Sequence, residues 1–295
     1  MAEVVHVAGR ELRLSNLGKE LYPGFTKAEV IAHYAELAPV LLPHVQARPV
    51  TLRRWPNGVH GASFVQKHSA RDTPNWLRTE LVAGRTSEPV RHAVLDETAA
   101  LVWAANLAAL ELHVPQWRFA DDGTPQPPDL LVLDLDPGPP AGLVECCTLA
   151  LRLRELLAAD GLAAWPKTSG SVGLHLLVPV APSPPGATSA YAKRVAQRLS
   201  AERPAQVVWQ MTKALRPGRV LVDWSQNNPA KTTVAAYSLR GKDSPTVSTP
   251  LTWEEVQGCT RAQELVFTSA DVRARVAAHG DLLDGIAEHA AELPG

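Results

Sequence analysis

This chain of 295 residues has no long apolar run, almost no net charge and few cysteines. Without a run of about 18 apolar residues or a basic-then-apolar start, we expect neither a membrane span nor a secretion signal. The three cysteines, Cys146, Cys147 and Cys259, form no C-x-x-C pair. A disulfide framework or a zinc site is therefore not expected, and this cysteine usage fits a reducing cytoplasm.

The net charge of -1 hides a strongly uneven charge distribution. Residues 96–149 hold nine acidic residues and one basic residue, whereas residues 150–245 hold thirteen basic and five acidic residues. Local field rather than net charge attracts a polyanion. The pattern is typical of a metal site beside a phosphate-binding surface, and chance clustering of solvated charge is the alternative.

Two aspartates separated by one residue close an apolar stretch, LVLDLDPGPP at 131–140. The apolar part reads as a buried strand that the Pro-Gly sequence ends. Residues i and i+2 of a strand share a face, so Asp134 and Asp136 are expected to stand side by side, roughly 7 Å apart. Like charges repel there unless a cation lies between them, and Mg²⁺ and Mn²⁺ prefer such ligands. An acidic turn at a fraying strand end is the alternative.

A third aspartate and a glycine turn extend this pattern. Asp223 ends a second apolar strand, GRVLVDW, and would complete a three-carboxylate cluster able to hold two metal ions for phosphoryl transfer. The segment KTSGSVGLH at 167–175 is a tight turn with two hydroxyls, Ser169 and Ser171, and a histidine, His175, that enters the next strand. Such groups bind anions. A plain hairpin turn with a strand histidine is the alternative.

A basic and aromatic set lies nearer the N-terminus, where cations could neutralise phosphates and aromatic rings could stack on bases or pack in a core. Its members are Lys19, Lys27, Arg53, Arg54, Trp55, Phe64 and Lys67. Lys231 and Arg240, in KTTVAAYSLRG, bring further positive charge towards Asp223. A solvated loop position is the default interpretation of Lys231.

Apolar periodicity and capping signals predict a mixture of helices and strands. Helices are predicted after the capping box Thr26–Glu29 and over about 96–112, 143–159, 189–201 and from 252 onward. Strands are predicted at about 50–55, 62–67, 162–167, 174–180, 220–223 and 232–239. Strands dominate the middle, which favours an α+β fold built around a mostly antiparallel sheet flanked by helices. We expect one catalytic domain over 1–295, with a core to about residue 250 and an acidic helical part over 251–295.

In their order, these motifs resemble those of the archaeo-eukaryotic primase superfamily. The closest likeness is to the polymerase domain of bacterial DNA ligase D, the repair polymerase of non-homologous end joining. The likeness covers nearly the whole chain. It rests on DLD at 134–136, SGSVGLH at 169–175, VDWSQN at 222–227, KTTVAAYSLRG at 231–241, LYPG at 21–24, RRWPNG at 53–58 and ALELHVPQWRF at 109–119.

The resemblance implies a two-lobed primase-like core in which Asp134, Asp136 and Asp223 bind two divalent ions, Mn²⁺ or Mg²⁺. These ions join an NTP or a dNTP to a primer 3′-hydroxyl. The residues expected at the nucleotide are Ser169, Ser171, His175, Arg240, His113 and Phe64, with Lys231 added for its charge. The residues expected around the 5′-phosphate of a downstream strand are Asn16, Lys19, Lys27 and Arg53.

The resemblance also implies partners and a place of action. They are double-stranded DNA ends and gapped DNA with a 5′-phosphate, with Ku and an ATP-dependent DNA ligase acting in trans, in the bacterial cytoplasm at the nucleoid. Four positions depart from close relatives. Val172 replaces a frequent lysine, Val65 a second aromatic residue, Gln226 an arginine of some relatives, and Arg53 a lysine. The last change keeps its charge, whereas the change at Val172 removes one cation near the triphosphate.

Two other functions stay open at this point. A metal-dependent phosphoesterase would use the same carboxylates to activate water, and a triphosphate requirement with pyrophosphate release would separate it from a polymerase. A non-catalytic module that binds and aligns DNA ends would bind 5′-phosphorylated DNA regardless of Asp134 and Asp136, and would add no nucleotide.

Overall fold

The computed structural model describes residues 2–69, 73–83 and 88–294 of the chain. The strands are β1 (Ala2–Val7), β2 (Arg10–Ser15), β3 (Glu20–Tyr22), β4 (Phe25–Thr26), β5 (Thr51–Arg54), β6 (Phe64–Gln66), β7 (Thr79–Val82), β8 (Val90–Ala93), β9 (Ala109–Val114), β10 (Leu130–Pro137), β11 (Trp165–Thr168), β12 (Leu174–Pro179), β13 (Val207–Val208), β14 (Val220–Asp223) and β15 (Thr233–Val234). The α-helices are α1 (Lys27–Glu36), α2 (Ala38–Val45), α3 (Thr98–Asn106), α4 (Leu143–Ala159), α5 (Ala187–Glu202), α6 (Trp253–Gly258) and α7 (Ser269–His279). No helix of the described segments has the length and apolar character needed to cross a bilayer.

The first of two compact units consists of Met1–Gln126, Thr233–Ser248 and Phe267–Gly280. Its central sheet has the order β15-β9-β5-β6, and all three strand pairs are antiparallel. Helix α1 begins at the capping box that the sequence predicts and packs against α3. The buried Tyr34 hydroxyl donates to the Leu110 carbonyl at 2.6 Å and accepts from the Leu239 amide at 3.2 Å. One side chain of α1 thus fastens a late segment of the chain to β9.

The second unit consists of Pro127–Thr232, Thr249–Val266 and Asp281–Gly295. Its sheet has the order β11-β12-β10-β14-β13, in which the β13–β14 pair alone is parallel. The apolar residues of β10 are buried because α4 and α5 both pack against this strand. The side-chain amide of Asn227 pairs with both backbone groups of Val132, at 2.8 Å each, which extends the hydrogen bonding of β10 beyond the end of β14. The α+β prediction with a mostly antiparallel sheet is confirmed.

Most of the predicted elements are confirmed, and the helix over 143–159 has the predicted limits. The helix predicted over 96–112 is wrong in its second half, since α3 ends at Asn106 and β9 begins at Ala109. The Ala- and Leu-rich composition favours a helix. Pairing of residues 109–114 with both β5 and β15 overrides the helical preference. Between α3 and β9, Ala108 adopts a left-handed backbone conformation with φ of 58°.

The strand predicted over 232–239 shortens to β15, which has two residues. Tyr237 adopts φ of 65°, a left-handed conformation that no continuous strand contains. Short strands are predicted from β-branched residues, and Thr232–Val234 carries that signal whereas Ala235 and Ala236 do not. The late part of this segment lies instead in a buried loop of the first unit.

Candidate active site

Four ionisable side chains form an in-register row across the sheet of the second unit. Lys167 lies opposite His175, His175 opposite Asp134, and Asp134 opposite Asp223 on the four successive strands β11, β12, β10 and β14. Directly opposed residues present their side chains on the same face of a sheet. All four residues are buried. The strand register therefore places one ammonium, one imidazole and two carboxylate groups in a line.

The three predicted metal ligands come together in this unit. Carboxylate oxygens of Asp134, Asp136 and Asp223 all lie within 4.8 Å of one another. This is closer than the roughly 7 Å backbone repeat of a strand, because the side chains converge. Like charges directly opposite each other destabilise a sheet unless they are compensated. Three hard oxygen donors at this spacing fit one or two divalent cations such as Mg²⁺ or Mn²⁺.

Donors from the segment after β14 hold these carboxylates in place. The Ser225 amide donates to Asp223 Oδ1 at 2.9 Å, and the Ser225 hydroxyl donates to the same oxygen. The Gln226 amide nitrogen bridges the pair, donating to Asp223 Oδ2 at 3.1 Å and to Asp134 Oδ2 at 3.4 Å. Lys231 Nζ lies 4.0 Å from Asp223 Oδ2 and also donates to the Ser225 hydroxyl. The predicted cation Lys231 thus stands beside the carboxylates.

His175 and the glycine turn border the carboxylates on their other side. His175 Nε2 lies 3.2 Å from Asp134 Oδ1. The Ser169 hydroxyl oxygen accepts from the amides of Ser171 and Gly173 at 3.2 and 3.1 Å, so it organises the turn. Ser171 is half-buried, and Val172 is 61% exposed at the tip. The turn joins β11 to β12, and β12 is the neighbour of β10, which carries two of the three clustered carboxylates.

Two other predicted nucleotide residues, His113 and Arg240, belong to the first unit and lie around a buried carboxylate, Glu111. His113 Nε2 lies 2.8 Å from Glu111 Oε2, and Arg240 Nε lies 3.1 Å from Glu111 Oε1. The Gly241 amide donates to Glu111 Oε1 at 3.0 Å. Burial alone would raise the pKa of Glu111, but the hydrogen bond with His113, the charge of Arg240 and the Gly241 amide lower it to about 2. Glu111 is therefore ionised at neutral pH.

A concave pocket of about 260 Å³ in the same unit brings together three of the four residues predicted for the 5′-phosphate. Asn16, Lys19 and Lys27 line it, and none of its described lining residues is acidic. Lys27 is buried, and its ammonium donates to the Ser15 carbonyl at 2.6 Å. Burial, with the charges of Lys19 and Arg54, lowers the pKa of Lys27 to about 8. Converging cations without a compensating carboxylate are typical of a phosphate site.

The fourth predicted residue, Arg53, lies elsewhere, and its neighbour Arg54 lines the pocket. Arg53 Nη1 is 3.7 Å from Glu111 Oε2, and its guanidinium stacks on Trp55 at 4.8 Å. Successive strand residues point to opposite faces, so only one of two adjacent arginines on β5 can face the pocket. Arg54 also stacks on the ring of Phe64 at 5.0 Å. Phe64 and Val65 are exposed on β6 at the edge of the sheet.

Sequence patterns missed Glu111 and Asn227 as parts of these sites. They placed Arg54 in the basic and aromatic set but not at the 5′-phosphate, and they gave Gln226 no role. Glu111 stands in ALELHV, where a charged residue interrupts an apolar segment two positions before His113. In a strand this spacing places both side chains on one face. The composition predicts a helix to about residue 112, and side chains at positions i and i+2 of a helix do not face each other. The relation between Glu111 and His113 is therefore not visible in the sequence. Gln226 and Asn227 carry no signal beyond their neighbours in the motifs.

Comparison with known proteins supports one family. A family model described as "LigD, primase-polymerase domain" matches residues 26–283. The chain is 45% identical over 275 residues to the multifunctional non-homologous end joining protein LigD of Mycolicibacterium smegmatis, covering 92% of this chain and 35% of that protein. It is 44% identical to the multifunctional non-homologous end joining DNA repair protein LigD of Mycobacterium tuberculosis, covering 93% of this chain and 37% of that protein. The chain thus spans about a third of these relatives.

A solved structure extends the likeness to three dimensions. The polymerase domain from Mycobacterium tuberculosis ligase D, in complex with DNA, superimposes with a TM-score of 0.89 at 43% sequence identity. The match covers 95% of this chain and 99% of that one. The primase-like fold predicted from the motifs is confirmed by this similarity.

Proposed function

The chain belongs to the LigD primase-polymerase family, and on that premise we propose that it is a DNA-directed nucleotidyltransferase. It adds NTPs or dNTPs to a primer 3′-hydroxyl at gaps and double-strand-break ends during non-homologous end joining. The observation that carries this proposal is the cluster of Asp134, Asp136 and Asp223, fixed by strand register and surrounded by hydrogen-bond donors. The pocket in the first unit that Lys19, Lys27 and Arg54 line adds support, since gapped DNA presents a 5′-phosphate that such cations could bind.

Asp134, Asp136 and Asp223 are the residues that would hold two divalent ions, with Mn²⁺ or Mg²⁺ as the candidates. Bound ions of this kind activate an attacking hydroxyl and neutralise charge on the transferred phosphate. The protein's own contribution is positioning. Ser225 and Gln226 orient the carboxylates through the hydrogen bonds described above, and the polar groups around them are arranged before substrate binds.

Cationic and hydroxyl groups of this chain would bind the triphosphate. We assign that role to Lys231, Ser171 and His175 of the second unit. For the first unit we propose that Arg240 and His113 bind the nucleotide, with His113 near its sugar. Lys231 stands 4.0 Å from Asp223, so it would meet the same phosphates that the ions bind. Ser169 acts through the turn, because its oxygen already accepts two amides. Phe64, which is exposed on β6, offers an aromatic face to the nucleotide and the template bases.

The partners follow from the same proposal. The M. tuberculosis polymerase domain was solved with DNA. For this chain we propose gapped or broken double-stranded DNA as the substrate, with Ku and an ATP-dependent ligase as partners in repair. A bacterial cytoplasm is the corresponding compartment. Asn16, Lys19, Lys27 and Arg54 would bind the downstream 5′-phosphate, with Arg53 acting nearby.

Primer extension on a one-nucleotide gapped duplex with Mn²⁺ tests the proposal. The assay compares NTP with dNTP, and a downstream strand carrying a 5′-phosphate with one carrying a 5′-hydroxyl. We expect nucleotide addition with pyrophosphate release, favoured by the 5′-phosphate and lost in Asp136→Asn. Strand cleavage without a triphosphate requirement would indicate a phosphoesterase. Phosphate-dependent binding without any addition would indicate an end-binding module.

Binding of the 5′-phosphate is expected to weaken as the pH rises above about 8. The pKa of Lys27 is lowered to about 8, so its ammonium loses its proton in this range. A phosphate dianion favours the charged form and raises this pKa on binding, which makes affinity greatest below pH 8. Because a terminal phosphate titrates near pH 6, its own charge is constant there. Affinity should fall by up to about tenfold per pH unit.

Fluorescence anisotropy with the gapped duplex between pH 7 and 9.5 measures this effect. The 5′-hydroxyl duplex serves as the control for all other titrating groups. In Lys27→Gln the difference between the two duplexes should be small at every pH. A wild-type preference for the 5′-phosphate that is constant to pH 9.5 would show that Lys27 does not bind it.

A further inference from the structure

Glu111 is the buried carboxylate of the first unit around which two predicted nucleotide-binding residues are arranged. It is 1% exposed and lies on β9 directly opposite Arg53 of β5. Two residues further along β9, His113 points to the same face. The donors that reach Glu111 come from β9 itself, from β5 and from the segment after β15. One side chain thus joins three separate parts of the chain.

We infer that Glu111 is a positioning residue for nucleotide binding, acting through Arg240 and His113 rather than by touching substrate. This inference rests on the proposed function. Glu111 contacts the Arg240 guanidinium through Nε at 3.1 Å. It also accepts the Gly241 amide, which fixes the backbone next to Arg240. Both the side chain and its attachment point are held by the same carboxylate.

The local charges favour this assignment over a purely structural one. A buried carboxylate costs stability unless it is paired and hydrogen-bonded. Glu111 carries one negative charge and lies near two arginines, Arg240 and Arg53. The Arg240 side chain stays 14% exposed. Part of the Arg240 side chain is thus accessible and held in one position before a ligand binds. A long side chain that is already ordered loses less conformational entropy when it binds a ligand.

The test is a double-mutant cycle with Glu111→Gln and Arg240→Gln. Glutamine matches glutamate in shape but removes the charge. We expect Glu111→Gln to raise KM for the NTP about tenfold and to change kcat less than threefold. In the Arg240→Gln background, the same substitution should raise KM much less, because the arginine that Glu111 positions is gone and only the contact with His113 is left to lose. A structural role would give the same loss in both backgrounds.

Glu97→Gln is the matched control. Glu97 lies in the same unit and pairs with Arg10 at 3.1 Å, away from the predicted nucleotide residues. Glu97→Gln should leave the KM for the NTP unchanged. DNA affinity and melting temperature are measured for each variant. If Glu111→Gln does not fold, Glu111→Asp replaces it, since it keeps the charge but withdraws the carboxylate by one methylene from Arg240. A folded Glu111 variant with wild-type KM, or an additive cycle, would overturn the inference.

The two hypotheses fail in different ways. Nucleotide addition by the wild type that depends on Asp136 supports the proposed function, whatever the Glu111 variants do. If the wild type adds no nucleotide, the proposed function fails. Binding of a fluorescent ATP analogue with Mn²⁺ then carries the cycle, with the same expected non-additive pattern in Kd. An additive pattern in that assay would overturn the positioning role independently.

Discussion

Replacement of Asp134 by asparagine should abolish nucleotide addition while it makes the metal-free protein more stable. Asp134 is the one carboxylate that contacts His175 on one side and lies in register with Asp223 on the other. Loss of a metal ligand at such a site removes several kcal/mol of charge stabilisation, which corresponds to a rate loss of about 10³-fold or more. The same change removes a buried like-charge repulsion with Asp223. Activity and stability should therefore move in opposite directions.

Single-turnover extension and thermal melting measure the two effects. In wild type, Mn²⁺ should raise the melting temperature relative to EDTA, because a ligand of the folded state stabilises it. In Asp134→Asn, this increase should shrink, whereas the melting temperature in EDTA should rise. Glu155→Gln, on the exposed face of α4 in the same unit, is the control and should match wild type. Near wild-type extension by Asp134→Asn would refute the metal assignment.

A single added methyl group at Gly173 should have the second largest effect. A Cβ atom there would collide with the backbone carbonyl of Leu135, the residue between the two aspartates of β10. A backbone oxygen cannot swing aside as a flexible side chain does, so β10 or the glycine turn must shift. Overpacking of this kind costs about 1–3 kcal/mol. A displacement of about 1 Å at a catalytic group reduces the rate by about 10²-fold.

The comparison of Gly173→Ala with Gly258→Ala isolates this contact. Nothing lies within 4 Å of a Cβ atom at Gly258, which ends α6 in the same unit. We expect Gly258→Ala to retain wild-type extension and stability. In Gly173→Ala, the fall in kcat should be larger than the fall in melting temperature would suggest. The reason is that the backbone displacement falls on β10, which carries two of the predicted metal ligands. Equal behaviour of the two variants would mean that the turn does not constrain β10.

The catalytic strand was predictable because its signals are local. Asp134 and Asp136 follow from strand alternation and from the Pro-Gly sequence that ends the run. The capping box of α1 and the limits of α4 follow from residue types at fixed spacing. The roles of individual site residues came from motif resemblance, and they remain predictions that the assays above address.

The other features of the candidate sites depend on pairing between segments that are distant in the sequence, and local patterns do not specify such pairing. Asp223 lies opposite Asp134 because of the register between β14 and β10, and the two residues are 89 positions apart in the sequence. The choice of Arg54 over Arg53 for the pocket depends on which face β5 turns towards α1. Glu111 was hidden because its segment has the composition of a helix, and only its neighbours β5 and β15 make it a strand.

The way the chain is shared between its compact units also bears on how the protein is made. The first unit takes its N-terminal 126 residues, then Thr233–Ser248, then Phe267–Gly280. Strand β15, the Leu239 amide bound by Tyr34 and the guanidinium bound by Glu111 all belong to the later pieces. On the ribosome, the first unit therefore cannot complete its sheet until β15, at Thr233–Val234, has been synthesised. The five strands of the second unit are all synthesised by residue 223, so the sheet of the unit that begins later in the chain can be complete first.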